Sequence, residues 1–265
     1  IRNCMVALAE DEHLLTRLFQ YRFESDGDLS GHSFGNLFLA ALAAVTGDFL
    51  EAIRVSSEVL KIRGKILPST VEDVSLVAEI KGGGTLEGET RIAESRSKIE
   101  KLRLSRERCL PLPETLDAIS HADLITIGPG SLYTSIIPNL LVDDIVAAIE
   151  GSSAVKVYVC NIMTQPGETE GFSLEDHLRV LSEHSHGLDL DWVLVNSASI
   201  SEVLRARYLV DGSVQVGIDE SLSSRTARIA STNCTSKIVL RDLLNENEVV
   251  RHDPHKLASA LLEIY

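Results

Sequence analysis

Leu124-Ile125-Thr126-Ile127-Gly128-Pro129-Gly130-Ser131 decides the fold of this chain. Four apolar or β-branched residues are followed at once by a glycine-rich turn and then by a helical pattern. The same rhythm returns twice. Val155–Cys160 runs into Asn161-Ile-Met-Thr-Gln-Pro-Gly-Glu-Thr169, and a helix follows with Ser173 and Asp176 at capping-box spacing. Trp192–Val195 runs into Asn196-Ser-Ala-Ser199, with a helix through Tyr208. Strands that alternate with helices need crossover connections, so the sheet is expected to be parallel and covered on both faces.

Outward from this centre, Asp253 caps a last helix with Pro254 in its first turn and Leu257, Leu261 and Ile264 on one face. Toward the start, Leu76–Ile80 and Thr85–Ala93 read as two strands around Gly82-Gly83-Gly84. No helical pattern follows those glycines, so a hairpin is expected there and not a phosphate loop. Ile99–Arg108 alternates weakly and is a candidate third strand. The first quarter reads as helical. Leu15, Leu18, Phe19 and Phe23 form one stripe, and Phe34 to Val45 form a longer one that ends at Gly47. Asp48 then caps a further helix, with Glu51 three residues on. The expectation is one α/β domain over residues 1–265 with a small β insertion at about 66–110.

Composition sets limits. Of the 265 residues 44% are hydrophobic and 24% are charged, enough for a core without staples. The formal net charge of −14 argues against nucleic acid or an anionic membrane as partner, but it leaves room for a small anion at a local site. Cys4, Cys109, Cys160 and Cys234 are widely spaced, which argues against a disulfide scaffold or a thiolate metal site. A reducing cytoplasm is the simple expectation. No apolar run reaches membrane-spanning length, so no membrane insertion is expected.

Ligands of open parallel sheets sit beyond the carboxyl ends of the strands. In Gly128-Pro129-Gly130-Ser131 the amides of Ser131, Leu132 and Tyr133 are expected to face an anion, and Gly130 has no side chain to hold a phosphate away. This is not a dinucleotide fingerprint, because Tyr133 stands where a third glycine belongs. Asn161, Thr164, Gln165 and Thr169 offer amides and hydroxyls suited to a base or sugar, while Pro166-Gly167 also fits a plain turn. Ser33 is a natural cap for the early helix, His32 beside it fits a structural role, and Asn36 is an unusual residue to place one turn inside. His184 and His186 are expected to be exposed at a helix end. His252 and His255 are expected to help set a cap. No zinc pattern and no catalytic acid, base or nucleophile stands out.

Four blocks carry a resemblance: GHSFGNLFLAAL (Gly31–Leu42), TIGPGSLYTSIIPNLLV (Thr126–Val142), NIMTQPGET (Asn161–Thr169) and VRHDPHKLA (Val250–Ala258). Together they resemble the YvcK-like, or gluconeogenesis-factor, family of the CofD (2-phospholactate transferase) superfamily, over essentially the whole chain. Ile1-Arg2-Asn3 resembles the end of a family block. A first strand and a glycine-rich loop are therefore expected upstream, together with the metal-binding Asp residues of the transferase branch. The resemblance implies a Rossmann-like three-layer α/β fold. It also implies a UDP-sugar ligand of the UDP-N-acetylglucosamine type, and a regulatory role in central carbon use, cell-wall supply and cell shape. Arg2, Asn3, Met163, Tyr208 and Arg251 join the ligand-binding candidates on this ground. The alternative that it implies is a transferase of the 2-phospho-L-lactate type, and only that reading calls for Mg²⁺. NAD in the same cleft is a third reading. A homodimer is the expected assembly.

Overall fold

The computed structural model describes residues 1–9, 14–24, 27–218, 227–228 and 235–265. The chain divides into two compact units, residues 1–71 with 112–115, and residues 72–111 with 116–265. Cys234 lies outside the described residues.

The first unit is helical: α1 (Arg2–Leu8), α2 (Leu15–Gln20), α3 (Phe34–Thr46) and α4 (Phe49–Val59). Met5, Phe19, Leu39, Ile53 and Leu60 form its core, with the Phe34 and Phe38 rings packed against Phe19. Ser33 caps α3 by accepting from the Asn36 amide, and Gly47 ends it in the left-handed region. Asp48 Oδ1 caps α4 through the amides of Leu50 and Glu51. The expected stripe through Phe23 is cut short, since α2 stops at Gln20. Tyr21 to Phe23 instead turn extended and pair with His32 and Ser33 through Phe23 N–H···O His32 and Phe34 N–H···O Tyr21. Pairing with a distant segment here overrides a local helical pattern.

In the second unit β1 (Leu76–Ile80) and β2 (Thr85–Glu87) make the expected hairpin, with Ala78 opposite Leu86. Gly88, at φ +96°, then starts α5 (Glu89–Glu94) where the strand was expected to run to Ala93. Alternation at Leu86, Gly88, Thr90 and Ile92 fits a strand, but burying Ile92 alone suits one helical turn. β3 (Ile99–Leu104) pairs antiparallel with β1, giving a sheet of order β2-β1-β3.

Through α6 (Pro113–Ser120) the chain reaches β4 (Leu124–Ile127), a π-helical turn at Leu132–Ile136, α7 (Ile137–Leu140) and α8 (Ile145–Gly151). Next come β5 (Val155–Val159), α9 (Leu174–His184), β6 (Trp192–Asn196) and α10 (Glu202–Val210). The chain continues through β7 (Ala227–Arg228), β8 (Thr235–Arg241), β9 (Leu244–Glu246), β10 (Val250–His252) and α11 (Pro254–Ile264). The main sheet has the order β4-β5-β6-β8-β7; its first four strands are parallel and β7 is an antiparallel edge. β9 and β10 form a separate hairpin.

Period-2 geometry divides the strand residues between two faces. Tyr158, Val193 and Val195 pack with Ile145 and Ile149 of α8 and Leu174, Leu178 and Leu181 of α9. Val157 and Leu194 pack against Leu257, Ala260 and Leu261 of α11. Helices thus cover both faces of a mostly parallel sheet, the expected Rossmann-like three-layer arrangement. Among the described residues no single helix is long and apolar enough to cross a membrane.

Candidate functional site

Three loops follow the carboxyl ends of β4, β5 and β6, and a chain of hydrogen bonds links them. After β4, Gly128 holds φ +87°, and a Cβ there would come within 2.9 Å of the Val159 carbonyl oxygen. Only glycine fits that approach. Pro129 is exposed, and Gly130 and Ser131 are half-exposed. Among the described residues nothing accepts a hydrogen bond from the amides of Gly130 and Ser131.

Of the three amides expected to face an anion, two are placed otherwise. Leu132 is fully buried, and the Tyr133 amide donates to Glu168 Oε2 at 3.3 Å. The next residue adds a second bond, Thr134 Oγ1–H to Glu168 Oε1 at 2.9 Å. The helical start thus already holds a carboxylate from within the protein. Burial pushes the Glu168 carboxyl above the usual range, against the hydrogen bonds from Thr134 and Tyr133 that favour its charged form. The sequence reading missed Glu168 as a site residue. Its one signal was the wording PGE inside an amide-rich loop.

That loop is shaped by its own backbone. Gly167 stands at φ +82°, and a Cβ there would lie 2.7 Å from Arg96 Cα. Glu168 and Thr169 both donate to the Gln165 carbonyl, and Thr169 Oγ1 accepts from the Gln165 amide at 2.9 Å. Thr164 is buried, and its Oγ1 accepts from the Val214 amide at 2.9 Å. Thr164 and Thr169 therefore hold the loop, which accounts for both hydroxyls. Asn161 and Met163 are half-exposed, and Met163 bridges to Gln215. Gln165 Oε1 is buried with no hydrogen-bond donor among the described residues. An acceptor in that state is a candidate contact for a ligand N–H or O–H.

Gln215 joins the second loop to the third, with Oε1 accepting from the Ile200 amide and Nε2 donating to the Ala198 carbonyl. Asn196 closes the turn at the end of β6 and accepts from the Leu243 amide at 3.0 Å. Tyr208 Oη accepts from the Val250 amide at 2.9 Å, which sets the strand that carries Arg251. Arg251 is exposed, and no described residue bonds its guanidinium. His252 does not set the following cap; Asp253 does, through the amides of His255 and Lys256. His252 Nε2 instead meets the Cys160 carbonyl at 3.2 Å, so β10 is tied to the end of β5. Burial holds the His252 pKa below its ordinary value. Cys160 is no nucleophile, because burial pushes its thiol up to about 12.

The remaining candidates lie in the first unit. The Arg2 guanidinium donates to Asn3 Oδ1 at 2.9 and 3.2 Å. Ser33 is buried as the α3 cap, while the His32 and Asn36 side chains are exposed. Gly35 lies between them, and a Cβ there would meet Phe19 O at 2.8 Å and Arg2 Cδ at 3.0 Å. Elsewhere, His184 is buried where exposure was expected, because Nε2 accepts from the Leu102 amide at 3.0 Å and Nδ1 donates to Val180 O. Among the described residues no group of three His, Cys, Asp or Glu side chains could hold a metal ion.

The family model described as 2-phospho-L-lactate transferase CofD matches residues 1–235. The chain belongs to the CofD family. Its relatives in that family are gluconeogenesis factors, the YvcK-like group. It is 47% identical to the putative gluconeogenesis factor of Nostoc sp. and 43% identical to the gluconeogenesis factor of Bacillus subtilis, in both cases over 100% of this chain. It spans 57% of the Nostoc relative and 81% of the Bacillus subtilis one. A crystal structure of a UPF0052-family protein from Bacillus halodurans superposes with a TM-score of 0.88 at 42% identity, covering 98% of this chain and 81% of that one.

Proposed function

We propose that this CofD-family chain binds a UDP-sugar, of the UDP-N-acetylglucosamine type, beyond the carboxyl ends of β4, β5 and β6. On this reading it acts in the cytoplasm as a regulator of carbon use and cell-wall supply. The observation that carries the reading is the half-exposed Gly130–Ser131 segment, whose amides have no acceptor among the described residues. Two free amides just past the carboxyl end of a parallel strand suit a diphosphate oxygen. Arg251 supplies a planar cation on a strand tied to the end of β5, and its fork suits a second phosphate. Asn161 and Gln165 Oε1 offer partners to the sugar or base.

Titration calorimetry with UDP-N-acetylglucosamine tests this directly. Saturable heat is expected, and Gly130→Leu should remove it while the far-ultraviolet circular dichroism stays unchanged. Gly130 needs no left-handed backbone, and a Cβ there presses only on the exposed Ser135, at 3.2 Å, so the fold tolerates a side chain that blocks the ligand. No heat at millimolar ligand, or unchanged affinity in Gly130→Leu, counts against the site.

The family description favours one second reading, a transferase of the 2-phospho-L-lactate type. Mg²⁺ belongs to that reading alone. No three His, Cys, Asp or Glu side chains converge to hold that ion among the described residues. Product formation from a nucleotide-diphosphate donor would favour transfer over regulation. Competition by NAD in the same calorimeter would favour a dinucleotide ligand.

A further inference from the structure

The loop after β4 and the loop after β5 meet through one side chain. Glu168 is 5% exposed, lies 34 and 35 residues away from its partners in sequence, and reaches Thr134 Oγ1 and the Tyr133 amide with separate oxygens. Its backbone is preset by the Gln165–Thr169 turn and by Gly167 against Arg96. A hydrophobic anchor, Leu132 and Tyr133, lies directly beneath the bonded segment in the Ile92–Ile99–Leu102–Phe172 cluster. The charged group facing Glu168 is Glu89, in the first turn of α5, and it has the same sign. The other titratable neighbour is the Tyr133 hydroxyl, which points to the Ile99 carbonyl and is pushed up to about 12 by burial.

We propose that Glu168 is the positioning residue of this site: its carboxyl pins the loop after β4 to the loop after β5, and an anion held by the first loop draws a proton onto it. The second half rests on the nucleotide reading above; the first does not. The physical reason is proximity of like charges in a poorly solvated place. Tyr133 is three residues from Gly130, so a phosphate on the Gly130 and Ser131 amides adds negative charge close to a buried carboxylate that already faces Glu89. Protonation relieves that repulsion, and the neutral acid still accepts from the Tyr133 amide and the Thr134 hydroxyl. The proton comes from solvent and stays on the carboxyl group; no bond other than O–H forms.

Three proteins test this: wild type, Glu168→Gln and Glu168→Ala. The glutamine retains an acceptor and has no charge. Calorimetry with UDP-N-acetylglucosamine in two buffers of different ionisation heat reads proton uptake directly. Wild type should take up protons and bind more tightly as pH falls from about 8 to about 6, by at most about tenfold per pH unit. Glu168→Gln should bind at least as well with no such uptake, whereas Glu168→Ala should bind about tenfold more weakly than Glu168→Gln at every pH, as expected for lost hydrogen bonds to a loop. Proton uptake that survives in Glu168→Gln overturns the linkage. Hydrogen exchange in the absence of ligand tests the pin alone. The Tyr133 and Thr134 amides should lose protection in Glu168→Ala and keep it in Glu168→Gln, and equal protection in all three overturns the pin. Failure of wild type to bind any nucleotide overturns the linkage together with the nucleotide reading, while the exchange result still decides the pin.

Discussion

His177, His184 and His252 show what single residues add to the sheet and loops. All three have pKa values held below the ordinary histidine range, chiefly by burial. His177 Nδ1 donates to Ser173 O, and its Nε2 is buried without a partner among the described residues. His184 Nε2 is an acceptor for the Leu102 amide, so a proton there would face an N–H. The unfolded chain protonates each near pH 6.5, before the folded one can. Folding is therefore unaffected well above that pH and loses stability as pH falls through it, by at most about 1.4 kcal/mol per histidine per pH unit. Urea midpoints should drop between about pH 7.5 and pH 5.5. Glu168 works the other way, since its raised pKa favours the folded state at low pH and loses that contribution as pH rises, so the measurement belongs in Glu168→Gln. Replacing His184 by Gln, which can still accept from Leu102, should flatten the slope. At this scale the sequence was least legible. His184 looked like an exposed helix end and Glu168 was not singled out, because both are defined by bonds to segments that lie far away along the chain. The Ser33 cap was readable because its cause is local.

Elements follow the same rule. α9 was legible because everything that starts it lies within four residues. Ser173 Oγ accepts from the Asp176 amide at 3.2 Å, Asp176 Oδ2 returns to the Ser173 amide at 3.1 Å, and Leu174, Leu178 and Leu181 face the core. Ser173→Ala should cost about 1 kcal/mol, read as a lower thermal midpoint with an unchanged circular dichroism spectrum. A cost near zero would mean that core burial alone sets the start of α9. The misread elements lack such local anchors. α2 stops short of Phe23 because Tyr21 and Phe23 bond to Phe34 and His32, and α5 replaces half a strand because Gly88 can turn at positive φ. The segment after Gly130 was expected to be an ordinary helix. It opens as a π-helical turn in which Ile136 donates to Ser131 O. Neither feature has a period that a residue pattern could register.

For the whole molecule, the parallel core was legible from three strand-loop-helix units, and the charge of −14 remains to be reconciled with an anionic ligand. The two operate at different ranges. A diphosphate approaching from solution meets the summed negative field, which acts over tens of ångströms at low salt. At about 0.1 M salt the screening length is about 10 Å, and at 1 M about 3 Å. The proposed contacts to Gly130, Ser131 and Arg251, of hydrogen-bond length, lie inside that distance at moderate salt, whereas the long-range repulsion does not. Salt should therefore speed association of a UDP-sugar while leaving its dissociation rate nearly constant. A nucleic-acid binder shows the reverse, with affinity falling steeply as counterions compete. Stopped-flow binding between about 0.02 and 0.3 M NaCl reads the two rates separately. Association that slows with salt would mean that the ligand meets a local positive field larger than the acidic surface around it. In that case basic groups beyond Arg251 must line its path.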